Sequence, residues 1–233
     1  MLALGSIALA EPLAVETIFR RPAYTDVKLS PDGSKMAALV PVQGRRGLAV
    51  VDLLARKAVA VAGSDDSDVS YYSWISNDRL IVEQANLADA SGEIRLLGRG
   101  AIDADGRNAR RLPYWGASVV AIPGGDDIIM WRYVVSRGSS GAYRVNTRTA
   151  DEELLTWDNP GDVVQWVPDH RGNIRVAVSV VPRSNRTTIY ARPRGDGPWH
   201  EVASYATDAS ERILPIAFDL DDRMLYVWSN RGR

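Results

Sequence analysis

Apolar and polar residues alternate in short runs along most of this chain, and the runs come in pairs. "DVKLS" with "KMAALV", then "RLIVE", "DIIMWRYVV", "IRVAVSVV" and "RMLYVWS", are rich in β-branched and aromatic side chains, the composition of pleated, half-buried strands. Turn-forming stretches divide the runs: "SPDGSK" from Ser30, "SNDRL" from Ser76, "PGGDDI" from Pro123, "PDHRGNI" from Pro168 and "DLDDRM" from Asp219. Pro presets the second position of a tight turn, and Asp and Gly tolerate the conformations that follow it. These turns recur every 45 to 51 residues, close to the pitch of a propeller blade.

Each repeat has a second half, in which a third strand meets a polar turn and a short fourth strand follows: "GLAVVDLLARKAVAV", "GRGAIDADGRNARRL", "GAYRVNTRTADEELL" and "TIYARPRGDGPWHEV". Four strands per repeat make a blade. The first blade is expected to hold strands near 24–30, 35–42, 47–53 and 57–62. No stretch between residues 23 and 233 keeps a 3.6-residue apolar period, and only "PLAVETIFRR", residues 12–21, has the pattern of a short helical arm. The fold predicted is all-β, an incomplete β-propeller of four-stranded antiparallel blades, about four and a half of them. Blades are expected at about 23–63, 69–113, 116–156 and 162–203, with an incomplete one at 213–233. Because the fifth repeat breaks off after "RMLYVWS" and "NRGR", the chain is expected to be a piece of something longer.

Composition narrows the partners. With 28 Lys and Arg against 29 Asp and Glu, scattered along 233 residues, the chain has no basic face for nucleic acid. The absence of cysteine removes disulfides, thiolate catalysis and Cys-ligated metal together. The opening "MLALGSIALA" is apolar and ends in small residues before Glu11, the pattern of an exported leader, and it is too short to span a bilayer. Residues 1–12 therefore read as a signal-peptide remnant and 13–22 as an arm. The mature form is expected in the periplasm or secreted, with no membrane attachment.

The residues that carry chemistry are mostly missing. A hydrolase needs a nucleophile within reach of a base and an orienting acid. His170 sits in the "PDHRGN" turn, His200 opens a fourth strand, and the "GSSG" from Gly138 lacks the spacing of a nucleophile elbow. The acidic groups Asp65-Asp66 with Asp68, Asp126-Asp127 and Asp221-Asp222 fall in turns and loops, where Asp serves the backbone. "DADG" from Asp103 fails as a calcium loop, because Asn108 and Tyr114 stand where Gly and Glu are required. Trp74, Trp131, Trp166 and Trp228 recur in first and second strands and are expected to pack sheet on sheet. No catalytic, cofactor-binding or metal-binding residue is assigned, and no cofactor is expected.

The order of the motifs carries a family likeness. "FRRP" from Phe19, the "LSPDG" hairpin, "VDL" from Val51 and "WISNDRL" from Trp74 follow one another as in the N-terminal propeller of bacterial prolyl oligopeptidase-family serine peptidases, the acylaminoacyl-peptidase and dipeptidyl-peptidase-like branch, which this chain resembles from residue 12 onward. The resemblance implies a parent peptidase in which the propeller screens substrates by size. It also implies a following α/β-hydrolase domain, as the chain's partner beside peptide substrates, that holds the Ser, Asp and His triad. No position of that triad falls within this chain, so by itself it is expected to be inert. The competing reading is a periplasmic propeller of WD-like or Tol-associated type that binds other proteins.

Overall fold

The structure, a computed structural model, describes residues 24–87, 94–113, 118–134 and 139–230. The expected leader and arm lie outside the described residues. Every sheet is antiparallel. The first joins β1 (Thr25–Leu29), β2 (Lys35–Val42), β3 (Arg45–Asp52) and β4 (Lys57–Ala62) in sequence order. The second joins β5 (Asp68–Ser76), β6 (Arg79–Asn86), β7 (Arg95–Asp103) and β8 (Arg110–Leu112). The third is built from β9 (Val119–Ala121), β10 (Asp127–Val134), β11 (Ser139–Asn146) and β12 (Glu152–Leu154). The fourth takes β13 (Val163–Pro168), β14 (Ile174–Val181), β15 (Arg186–Ala191) and β16 (His200–Ala206). A fifth sheet has two strands, β17 (Ile213–Phe218) and β18 (Leu225–Ser229). Among the described residues the only helical element is a 3₁₀ turn at Pro182–Ser184. The fold is thus an incomplete propeller, as the repeat predicts.

Turn chemistry fixes each hairpin. In the first, Ser30 N–H donates to the Lys35 carbonyl and Gly33 N–H to the Ser30 carbonyl, both at 2.9 Å, and Gly33 adopts φ +72°, a conformation that favours glycine. Asp32 Oδ1 accepts hydrogen bonds from the Ser30 hydroxyl and from the Ser34 N–H and hydroxyl. Asp169 and Asp219 close the fourth and fifth hairpins in the same way, accepting backbone N–H groups at Arg171 and Asn173 and at Arg223 and Met224. The same device ends the third strands, where Asp52 accepts from Leu54 and Ala55 and Asn146 from Arg148 and Thr149.

Strand alternation gives every inner sheet two apolar faces, and four layers result. Ala37, Leu39, Leu48 and Val50 of the first sheet meet Val69, Tyr72, Trp74 and Leu80 of the second. Ile75, Ile81 and Leu112 then meet Ile128, Met130 and Val145, and Ile129 and Ala142 meet Trp166, Ile174 and Ala177. Val167, Val176, Val178 and Ile189 of the fourth sheet cover Phe218 and Leu225 of the fifth. Two of the four recurring tryptophans are locked in these layers. Trp74 donates to the Lys28 carbonyl, and Trp166, 1% exposed, donates to the Ser140 hydroxyl at 2.9 Å. Trp131 is only partly buried, and Trp228 is 51% exposed, because no described sheet lies against its face of the fifth sheet.

Candidate functional site

The hairpin turns of successive blades and the turns after their third strands gather at one end of the array, and there the polar groups of the first three blades interlock. Arg79, the first residue of β6, is fully buried. Its Nη1 donates to Asp103 Oδ1 at 2.6 Å, its Nε to Thr147 Oγ1 at 2.9 Å and its Nη2 to the Thr147 carbonyl at 2.6 Å. The Asn108 carbonyl accepts from both terminal nitrogens. Arg148 lies across the same carboxylate at 3.4 Å and donates to Asp126 at 2.5 Å. Lys35 of the first blade reaches Asp78 of the second at 2.8 Å.

Two cavities open beside this network. One, of about 380 Å³, is walled by Val50, Val59 and Ala104 and rimmed by Asp52, Lys57 and Asp105. The other, of about 560 Å³, lies among Pro31, Trp74, Ile75, Pro123 and Asp126, and Asp78 and Arg148 border both. Apolar walls with a charged rim can hold a side chain; of the charges that border the two cavities, Asp78 is paired with Lys35, and Arg148 with Asp103 and Asp126.

Electrostatics confirm a structural network. Burial works against the Asp103 charge, yet hydrogen bonds from Asn108 and Arg79 and the charges of Arg79 and Arg148 hold its carboxyl below the usual range. The same balance holds Asp68 low, where burial is outweighed by the Arg46 and Leu87 N–H groups and by Arg45. Hydrogen bonds from Ser30 and Ser34 bring Asp32 down to about 2. Since these folded values lie below the unfolded ones, the unfolded chain takes up protons first as pH falls. Thermal stability should therefore hold above about pH 4 and fall steadily toward about pH 2. Asp103→Asn should lower the melting temperature at pH 7, with a deficit against wild type that narrows on acidification; melts at stepped pH read both.

Other candidates are spoken for. Ser139 and Ser140 are buried, not poised on an elbow: Ser139 Oγ accepts from Val163 N–H and Asn159, and Ser140 Oγ donates to the Val163 carbonyl while accepting from Trp166. His170 Nδ1 lies 2.7 Å from Asp222 Oδ1, which also accepts the His170 N–H, and the pair joins the fourth blade to the fifth. Burial opposes the Asp222 charge, and the bonds from His170 prevail and keep its carboxyl low. No hydroxyl group is hydrogen-bonded to this histidine among the described residues, and His200 is exposed. Asp126 and Asp68 serve Arg148 and Arg45, and no cluster of His, Asp and Glu suited to a metal occurs among the described residues. Sequence reasoning missed Arg79, which stands at the end of the "SNDRL" turn and whose partner Thr147 lies 68 residues away.

Solved structures share this shape. An acylaminoacyl peptidase in complex with Z-Gly-Gly-Phe-chloromethyl ketone matches with a TM-score of 0.52 at 14% identity, over 91% of this chain and 38% of that one. Pyrococcus horikoshii acylaminoacyl peptidase, in its orthorhombic crystal form, matches with a TM-score of 0.50 at 16% identity, over 84% of this chain and 34% of that one. The chain thus spans little more than a third of the length of either peptidase, and the likeness establishes the propeller fold. No family model and no curated protein matches the chain.

Proposed function

We propose that this chain is the substrate-screening propeller of an exported serine peptidase and that it contributes shape rather than chemistry. The observation that carries the reading is the order of its motifs, from "FRRP" through the "LSPDG" hairpin and "VDL" to "WISNDRL", in a chain that folds as successive blades. Two features support it. Lys35 with Asp78, Arg148 with Asp103 and His170 with Asp222 are paired between neighbouring blades at the turn end, and both histidines stand apart from any activated hydroxyl among the described residues. In this reading the catalytic groups belong to an α/β-hydrolase domain of the same protein. The blades admit short, flexible peptides and exclude folded ones, and the apolar opening sequence directs export to the periplasm or beyond.

Sequencing the gene beyond the codon for Arg233 tests the reading. A G-x-S-x-G elbow followed by Asp and then His is the expected result. A gene that ends without such a domain overturns it in favour of a protein-binding propeller.

A further inference from the structure

The cavity of about 380 Å³ lies between the first two blades, each a complete four-stranded sheet, and its interior and mouth differ in chemistry. Lys35, Asp52 and Lys57 stand in one row across β2, β3 and β4, and Ala37, Val50 and Val59 form the next row inward on the same face. That face packs against the second blade. The turn between β7 and β8 closes the outer side, where Gly106 sits so near β4 that a Cβ on it would lie 3.3 Å from the Ala60 carbonyl oxygen. Val50, Val59 and Ala104 therefore line the interior, and the charged row lies at the mouth. Of the seven charged groups around the cavity, four are neutralised in pairs, Lys35 with Asp78 and Arg148 with Asp103. Asp52, Lys57 and Asp105 remain. Asp52 accepts the Leu54 and Ala55 N–H groups through Oδ1 alone, which leaves Oδ2 for another donor, and neither Asp52 nor Lys57 forms an ion pair among the described residues. Asp105 has a loose pair with Arg107 of its own turn, at 3.8 Å between exposed side chains, and such a pair contributes little in water.

We propose that this cavity binds an aliphatic α-amino acid as the free zwitterion, with its side chain against Val50, Val59 and Ala104, its ammonium at Asp52 and Asp105, and its carboxylate at Lys57. The order of the groups selects this class. A lysine or arginine side chain entering from outside would carry its charge into the apolar interior, where an unpaired charge is costly. A purely apolar group would leave the uncommitted ammonium and carboxylates of the mouth without partners. The volume lies near the lower end of the roughly 300–1,000 Å³ range of small-molecule sites, as a single amino acid requires. This inference is independent of any peptidase role.

Amide-resolved NMR on the isotope-labelled full chain tests it by titration with L-leucine, with Nα-acetyl-leucine, which lacks the ammonium, and with leucine amide, which lacks the carboxylate. Leucine should shift the signals of Val59, Ala104 and Asp105 saturably, and each analogue should bind about tenfold or more weakly, the effect of losing one charge-assisted contact. Asp52→Asn keeps the turn acceptor; it should weaken leucine to the same degree and leave Nα-acetyl-leucine unchanged. Lys57→Met should weaken leucine and leave leucine amide unchanged, and Val59→Phe should fill the cavity and abolish binding of all three. Equal affinity for the three compounds, leucine binding that survives either charge variant, or no saturable shift at any leucine concentration up to its solubility limit would each overturn the proposal. Asp105→Asn, at an exposed turn position, gives the ammonium reading if Asp52→Asn fails to fold.

Discussion

Replacing Arg79 with Met should destabilise the chain by about 3–5 kcal/mol, the cost of leaving buried partners of an ion pair without their counter-charge. The side chain is fully buried, and its loss strips Asp103 of its closest cation and leaves Thr147 and the Asn108 carbonyl without their donor. The remaining cation, Arg148, lies at 3.4 Å on a half-exposed side chain and compensates weakly. For a chain of this length the melting temperature should fall by roughly 6–20 °C. Arg148→Met, by contrast, should cost no more than about 1 kcal/mol. Adding Asp103→Asn to Arg79→Met should recover part of the loss, since it removes the stranded charge. Equal effects at the two arginines would show that the network is surface decoration. Thermal melts of the four proteins decide between these outcomes.

Trp166→Ala should cost a similar amount, about 3–5 kcal/mol, through a different cause. The indole fills the layer between the third and fourth blades, lies 5.9 Å from the ring of Trp199 and donates to Ser140. Its removal leaves a cavity in the apolar layer that couples the third blade to the fourth. Stacked repeats contact only their neighbours, so stability along the array is a sum of blade and interface contributions. The variant should therefore unfold in two steps, the fourth and fifth blades first, where wild type unfolds more cooperatively. Trp166→Phe keeps most of the volume and loses the hydrogen bond, and should cost about 1–2 kcal/mol. Denaturant titrations followed by circular dichroism and by tryptophan fluorescence read the split directly: coincident curves for Trp166→Ala would contradict the layer-by-layer account.

What the sequence made legible was what is local. The period of two in "KMAALV" and "IRVAVSVV" and the turn chemistry of "SPDG" act over a few residues, and both gave strands and hairpins at the predicted places. The groups that bind blade to blade were not readable. Arg79 and Thr147, or His170 and Asp222, are separated by 68 and 52 residues, and nothing near either partner marks it as paired. A turn Asp that caps its own backbone, such as Asp169, is indistinguishable in sequence from one that reaches a neighbouring blade, such as Asp78 or Asp222. Trp228 matched the periodic pattern of Trp74 and Trp166, but periodicity gives the face of a strand and not whether a sheet lies against it.

The central claim, that this chain supplies a wall and no catalysis, is tested most directly by reacting purified chain with a fluorophosphonate probe and assaying it against acyl-peptide substrates. His170→Ala and His200→Ala are assayed in parallel. The account predicts no labelling and no turnover above background for any of the three, because the buried Ser139 and Ser140 are held in structural hydrogen bonds and, among the described residues, no hydroxyl is hydrogen-bonded to His170 or His200. Stoichiometric labelling of wild type, or turnover that disappears in His170→Ala, would contradict it.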